Sequence, residues 1–189
     1  MNHPPISCLV PRARAPVLPV LLLALAGCRE PEGIRRYRVP KEASGPAPRL
    51  TYRVPEGWSS GPLVVSRGGV QVRRDAAFEV ARDGQRVEIT VTSLPAAAGS
   101  LPANLNRWRQ QMQLEPISEE EVSQQARKVP VGDTQGDYVQ IFGPDQAILG
   151  VVVPRNDTAW FVKLQGDRAL AAREKARFEA FVASLHFKP

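Results

Sequence analysis

Cysteine, histidine and aromatic residues are scarce in this chain of 189 residues. It has two cysteines, two histidines and 6% aromatic residues. Cys8 and His3 lie in an N-terminal segment that we expect to be removed, which leaves Cys28 without an intramolecular disulfide partner. His186 is then the one remaining histidine. Because a zinc site takes three or four His, Cys or carboxylate ligands, we expect no metal centre and no cofactor.

The chain also lacks an apolar run long enough to span a membrane. The apolar stretch that leads into residues 25–28 (LAGC) has about 11 residues, whereas a membrane-spanning helix needs about 20. Arg12 and Arg14 precede this stretch. A basic region, an apolar region and small residues in that order are typical of a secretory signal. We therefore expect residues 1–27 to be a signal peptide that is cleaved.

The end of this signal resembles the lipobox of bacterial lipoproteins. In residues 25–28 (LAGC), the resemblance makes Cys28 the acylated first residue of the mature chain. Several acyl chains would hold the protein on a membrane almost permanently, since each buried methylene contributes about 0.8 kcal/mol. The alternative is a secreted protein in which Cys28 is a free thiol. Charged residues, proline and glycine follow at 29–33 and do not favour a packed element.

The lipobox resemblance predicts where the protein is located and how it is divided. Residues 28–49 are rich in Pro, Gly, Glu and Arg and are expected to be a flexible linker between the lipidated cysteine and a domain at 50–189. The domain should lie on the exported side of a membrane in the cell envelope. Arg29 follows the cysteine where some bacteria use aspartate for inner-membrane retention, which favours the outer membrane and leaves the inner membrane open.

Residues from about 50 onward show the patterns of an antiparallel sheet. Residues 77–81 and 87–92 alternate between apolar and polar side chains and are joined through Asp83 and Gly84, a pair typical of tight hairpin turns. Three more strands are predicted at 136–142, 147–153 and 158–165. The turn residues between the last two predict a meander.

Two longer helices are predicted from apolar residues that recur at helical spacing. The first begins after Ser100, and its apolar stripe is expected to face the core and consists of Leu101, Leu105, Trp108 and Met112. A short acidic helix should follow Ser118, with its glutamates on a solvated face. The last helix is centred on Phe178, Phe181 and Val182, with Asp167 as its cap. Strands and helices in this order predict an α+β domain, with an antiparallel sheet packed against helices.

Several segments resemble the PsbP-like fold. These are residues 54–58 (VPEGW), the hairpin around residue 83, residues 104–109, residues 160–164 (WFVKL) and the Phe-rich end at 178–187. The resemblance implies an α/β/α sandwich over about residues 50–187, and more narrowly it extends to uncharacterised bacterial lipoproteins of this type. Members of the family take part in binding or assembly and share no reaction. No functional motif of the family can be carried over to particular residues here.

The reactive residues and motifs in the sequence favour a protein without enzymatic activity. A Ser-His-Asp site would have to use His186, which lies close to the chain end. The glutamates at 119–121 point in different directions on a helix and do not form an opposed acid pair. Neither a dinucleotide-binding glycine motif nor a phosphate-binding loop is present. The first hypothesis is a membrane-anchored lipoprotein that acts as a non-catalytic, protein-binding accessory or assembly factor in the cell envelope. The second is a small-ligand-binding lipoprotein, and an enzyme is the least favoured of the three.

Basic residues supply the candidate contact surface. The net charge is +6, and Arg107 and Arg109 flank Trp108. Since the helical spacing buries Trp108, it is unavailable for stacking on bases, and we expect no nucleic acid partner. A contact surface for another envelope protein is predicted at Asn104, Asn106, Arg107, Arg109 and Lys163. The alternatives are a solvated helix face, or a small-ligand site in a cleft between the sheet and the first helix.

Overall fold

A computed structural model describes residues 50–188 of the chain. The predicted signal peptide, Cys28 and the linker at 28–49 lie outside the described residues, so those three assignments stay predictions. Eleven strands and three α-helices occur in the described part. The strands are β1 Leu50–Thr51, β2 Ser59–Ser60, β3 Val64–Arg67, β4 Val70–Arg73, β5 Ala76–Arg82, β6 Gln85–Pro95, β7 Arg127–Val131, β8 Thr134–Phe142, β9 Gln146–Arg155, β10 Thr158–Asp167 and β11 His186–Phe187. The helices are α1 Leu101–Gln111, α2 Glu119–Gln125 and α3 Arg168–Ala183.

Seven of these strands form one antiparallel sheet in the order β2-β5-β6-β10-β9-β8-β7. The hairpin predicted at Asp83 and Gly84 joins β5 to β6 and is confirmed. The meander predicted for the last three long strands is also confirmed, because β8 pairs with β9 and β9 pairs with β10. The short strands β1 and β11 pair separately and bring the beginning of the domain beside its end, with Leu50 opposite Phe187.

Helices cover both faces of the sheet. On one face, α3 buries its apolar side against β6, β7, β9 and β10. On the other face, α1 and α2 pack over β8, β9 and β10 through a second apolar cluster. Successive side chains of β10 point to opposite faces of the sheet. Trp160 and Val162 pack on the α3 face, and Phe161 packs on the α1 face. The structure confirms the predicted fold class, an α+β domain with the layers of an α/β/α sandwich.

Local capping explains where the helices begin. The hydroxyl of Ser100 accepts a hydrogen bond from the Ala103 amide and begins α1. Ser118 and Glu121 exchange side-chain and backbone hydrogen bonds in a capping box that begins α2. The carboxylate of Asp167 accepts from the amides at the start of α3. All three predicted helices are thus confirmed, together with the predicted cap at Asp167.

Candidate functional site

Helix α1 is seated on the sheet through Trp108. The indole of Trp108 is buried and lies over Gly150 of β9. A Cβ atom at position 150 would come within 2.3 Å of the Trp108 ring, so glycine permits this close approach. The predicted burial of Trp108 is confirmed. The helix is therefore held at a fixed height above the sheet, with its polar residues around the edge of this contact.

Two of the five predicted surface residues hold the local backbone. Asn104 is buried, and its amide nitrogen donates to the carbonyls of Ala98 and Ser100, each at 2.7 Å. Asn106 makes a reciprocal pair of 2.9 Å hydrogen bonds with the backbone of Ile117. These contacts fix both ends of the segment that carries α1. Both side chains thus have structural hydrogen bonds in addition to any contact with a partner.

The three cationic members of the predicted surface separate into two places. Arg109, in the last turn of α1, donates to the Glu115 carbonyl at 2.6 Å and so faces the loop after the helix. Arg107 is exposed, donates to the Asn104 side chain, and lines a groove beside the sheet. Lys163 of β10 donates to Gln165 at 2.8 Å and lines the same groove. The structure thus brings Arg107 and Lys163 to one site.

We call this site the α1 groove. It has a volume of about 170 Å³ and lies between α1, the β3–β4 hairpin and the surface of strands β6 and β10. Its lining consists of charged, hydroxyl and apolar side chains: Val65, Val72, Arg74, Glu88, Thr90, Thr92, Leu94, Arg107, Trp108, Phe161 and Lys163. A concave site with a few polar groups among apolar walls is typical of a binding site.

The charge of the α1 groove is predominantly positive. Arg74 is only 5% exposed and makes a two-pronged contact with the Glu88 carboxylate at 2.8 and 3.0 Å. Arg74 also donates to the Pro62 carbonyl at 3.2 Å, so its guanidinium is held in place. Arg107 and Lys163 add two further cations, and Glu88 is the one carboxylate in the lining. The groove is therefore suited to a negatively charged group.

Exposed apolar side chains surround the groove on its hairpin side. Strands β3 and β4 turn through Gly68 and Gly69, whose φ angles of 57° and 79° suit a primed two-residue turn. Four large apolar side chains on and beside this hairpin are between 39% and 65% exposed: Leu63, Val64, Val70 and Leu94. Apolar exposure concentrated beside a polar site is typical of a surface that binds another molecule.

Sequence reasoning missed the hairpin and Arg74. Gly-Gly between two valine-containing segments was a usable signal, because that pair favours a tight hairpin turn. Arg74 had no local signal. Its role depends on Glu88 in a different strand, so only the folded sheet brings the two together.

Two further places bear on catalysis. Residues 57–61 (GWSSG) have the spacing of a hydrolase nucleophile motif, which sequence reasoning also missed. Ser59 lies in the edge strand β2 and donates to the Glu79 carbonyl at 3.1 Å, whereas a nucleophile elbow requires a strand-to-helix turn.

His186 lines an open depression of about 800 Å³ together with Ser184. The Ser184 hydroxyl donates to the Phe181 carbonyl at 2.8 Å and accepts from the Arg53 amide.

Residues 50–188 contain neither a cluster of metal ligands nor a membrane-spanning helix. Within that range, no group of three or more His, Cys, Asp or Glu side chains is placed to hold a metal ion. Of the three described helices, none is long and apolar enough to cross a membrane.

Comparison with known proteins gives distant structural similarities. No protein-family model and no curated protein matches the chain. A Bacteroides thetaiotaomicron VPI-5482 protein matches at 13% identity and a TM-score of 0.40, over 75% of this chain but only 46% of that protein's length. The solution structure of cyanobacterial PsbP (CyanoP) from Synechocystis sp. PCC 6803 matches at 13% identity and a TM-score of 0.46, over 77% of this chain and 90% of that one.

A third structure is that of LpqN, involved in cell envelope biogenesis of Mycobacterium tuberculosis. It matches at 13% identity and a TM-score of 0.42, over 74% of this chain and 83% of that one. The similar structures thus include a PsbP protein, of the kind that the sequence resembles, and a protein of envelope biogenesis. All three are too distant to assign this chain to a family.

Proposed function

We propose that this protein is a lipid-anchored, non-catalytic binding domain of the cell envelope that holds another envelope protein at the α1 groove. One observation carries the choice of site: the cations of the groove and the exposed apolar side chains of the β3–β4 hairpin lie next to each other. The anchor rests on residues 25–28 (LAGC), which resemble a lipobox ending at Cys28.

The chemistry of the groove indicates the kind of partner segment. A carboxylate entering the groove would meet Arg107 and Lys163, with the buried Arg74 behind them. Charge-assisted hydrogen bonds from guanidinium and ammonium groups to a carboxylate are stronger than neutral ones. Apolar side chains next to that carboxylate would cover Val70, which shares a face of the hairpin with the groove-lining Val65 and Val72. We therefore expect an acidic residue flanked by apolar residues in the partner.

A protein partner is favoured over a small ligand by the apolar surface outside the groove. Val70 is 65% exposed on the groove face of the hairpin and does not line the groove, so a ligand confined to about 170 Å³ would leave it uncovered. The alternative, a small-ligand-binding lipoprotein, uses the same cations for a small carboxylate or phosphate ligand. Both hypotheses predict that charge reversal of Arg107 or Lys163 abolishes binding. They differ in whether a protein or a small anionic molecule is recovered with the lipoprotein.

The test is crosslinking of the full-length lipoprotein in its native envelope, followed by recovery in mild detergent and mass spectrometry. We expect a stoichiometric partner protein that is lost in Arg107→Glu and in Lys163→Glu. Arg173→Glu is the matched control, because Arg173 is a half-exposed cation on α3, across the sheet from the groove. A small anionic molecule recovered without a protein would favour the alternative. Recovery of the same protein from all three variants would contradict the α1 groove as the site.

The anchor requires its own test. In Cys28→Ala the acyl mass increment should disappear and the protein should move from the membrane fraction to the soluble fraction. If the variant stays in the membrane fraction and the masses of wild type and variant differ only by the Cys-to-Ala substitution, the wild type carries no acyl group and the lipobox interpretation is wrong. This result would leave the groove hypothesis intact, because the two tests depend on different residues.

A further inference from the structure

The β3–β4 hairpin is a two-stranded sheet of its own, and within residues 50–188 no further strand pairs with either of its outer edges. The Arg74 amide donates to the Leu63 carbonyl just below the hairpin, so these two residues form a hydrogen-bonded pair. Such pairs alternate along an antiparallel ladder with pairs whose backbone groups point outward. Val64 and Ser66 of β3 are at outward positions. In the described part of the chain, no backbone group pairs with their outward amides and carbonyls.

The other edges of the molecule are protected against pairing, whereas the edge of β3 is not. The seven-stranded sheet ends in β2, which has two residues, and in β7. By the same alternation, the outward positions of β7 hold Lys128 and Pro130, and proline has no amide hydrogen to donate. Very short edge strands, lysine and proline are common means of preventing edge-to-edge association. The outer edge of β4 carries the charged Arg73. The outward positions of β3 hold only valine and serine, so β3 is the edge that permits another strand.

Exposed apolar side chains lie on both faces of the hairpin beside this edge. Val64 is 53% exposed and points away from the groove, because it alternates with the groove-lining Val65. Leu63 is 51% exposed and alternates back to the groove face. A side chain placed in the groove would cover the groove face alone. An added strand would cover both faces, since its successive side chains point to opposite sides.

We infer that the partner segment adds to β3 as an antiparallel strand, with an acidic side chain opposite Val65 in the α1 groove and an apolar side chain opposite Val64. The inference rests on the proposed function, because the acid is the group that the groove cations are expected to bind. Main-chain hydrogen bonds to Val64 and Ser66 would supply affinity, and the alternate side chains would supply specificity. A second copy of this chain is disfavoured as the occupant, because β3 itself contains no acidic residue to place in the groove.

The first experiment uses a blocked pentapeptide, acetyl-Val-Thr-Glu-Val-Val-amide, and the full mature lipoprotein in lipid nanodiscs. In the inferred register, the threonine lies opposite Ser66, the glutamate opposite Val65 and the next valine opposite Val64. Backbone amide hydrogen exchange is measured with and without the peptide. We expect saturable binding and about tenfold slower exchange at Val64 and Ser66, because their amides gain an acceptor. Exchange at Gln71 and Arg73, on the outer edge of β4, should not change.

Two N-methylated peptides are the matched probes. Methylation at the threonine and at the valine after the glutamate removes the two peptide amides that face β3, and it should weaken binding about tenfold. Methylation at the glutamate and at the last valine changes amides that face solvent, so this peptide should bind as the parent does. Equal affinities of the two methylated peptides would overturn the inference, as would a parent peptide that does not bind or leaves exchange at Val64 and Ser66 unchanged. Protection of these amides that grows with protein concentration in the absence of peptide would identify a second copy as the occupant and would also overturn it.

Ser66→Pro tests the same edge in the native envelope by removing an outward amide of β3. Gln71→Pro is the matched control, because Gln71 lies opposite Ser66 at an outward position of β4. In the crosslinking assay, we expect the partner protein to be lost in Ser66→Pro and recovered in Gln71→Pro. The peptide measurements use the wild-type chain, so they decide the question even where a proline disturbs the hairpin.

The strand pairing and the proposed function can fail separately. Recovery of the partner from Ser66→Pro, together with its loss in Arg107→Glu, would overturn the strand pairing and leave the α1 groove as the site. Loss in Ser66→Pro, with recovery from both Arg107→Glu and Lys163→Glu, would contradict the role of the groove cations and leave the strand pairing in place.

Discussion

The indole nitrogen of Trp58 donates a 2.9 Å hydrogen bond to the carboxylate of Glu174, a residue on α3 that is fully buried. The other carboxylate oxygen of Glu174 accepts from Arg177 at 2.8 Å. Burying a carboxylate is costly unless its oxygens are paired, and here both are. The contact joins the segment after β1 to the last helix, across 116 positions in sequence.

Replacing Glu174 should therefore weaken the fold. We expect Glu174→Ala to lower the free energy of unfolding by about 2–3 kcal/mol, because the buried indole N–H of Trp58 loses its acceptor. Glu174→Gln keeps an acceptor for Trp58 and should cost about 1 kcal/mol. Urea unfolding with linear extrapolation measures both changes. Glu120→Ala on the exposed side of α2 is the control, with an expected change within about 0.5 kcal/mol. Equal effects of Ala at positions 174 and 120 would contradict the role assigned to the contact.

The contact between α1 and the sheet gives a second prediction. Gly150→Ala would place a Cβ atom 2.3 Å from the Trp108 ring, so the helix or the strand must move. We expect a loss of about 1–3 kcal/mol in the free energy of unfolding, as is typical of overpacking. Gly61→Ala is the matched control, because its Cβ would have its nearest neighbour at 3.4 Å. The urea unfolding midpoints of the two variants measure this loss. A Gly150→Ala variant as stable as Gly61→Ala would show that the packing of α1 on the sheet is loose.

The apolar hairpin gives a third prediction. Val70→Ser should reduce recovery of the crosslinked partner and leave the free energy of unfolding within about 0.5 kcal/mol of wild type, since Val70 is 65% exposed. Val54→Ser is the matched control, because Val54 is 46% exposed and lies away from the groove, in the loop after β1. Equal partner recovery from Val70→Ser and wild type would remove the hairpin from the proposed surface.

A fourth prediction concerns pH. The hydrogen bond from Arg155 holds the pKa of Asp133 below its ordinary value of 3.8. Since the folded state binds this proton less tightly than the unfolded state, the contribution of Asp133 to stability is fully present above pH 3.8 and is lost as the pH falls through the lowered pKa. Arg155→Met should raise the pKa of Asp133 towards 3.8, as measured by NMR titration of the carboxyl carbon. An unchanged titration in Arg155→Met would show that another group causes the shift.

Local patterns of the sequence were sufficient for the three helices and the five longer strands, β5, β6, β8, β9 and β10. The Asp83–Gly84 turn, the cap at Ser100 and the apolar stripe that contains Leu105 depend on residues close together in the chain, so they could be predicted. The prediction missed β7, whose Pro130 disfavours a strand interior but is tolerated here because β7 lies at the sheet edge. It also ended β9 two residues early, since that strand continues to Arg155.

The sequence by itself determined the α+β class, the β5–β6 hairpin, the helices and two residues of the candidate site, Arg107 and Lys163. Their shared position in one groove, with Arg74 and Glu88 beside them, was decided only by the tertiary structure. The physical reason is the range of the interactions: turn and helix preferences act over a few residues, whereas a groove exists only after strands and a helix distant in sequence have packed together. Glu174 shows the same limit, because no local pattern could identify Trp58, 116 positions away, as its hydrogen-bond donor.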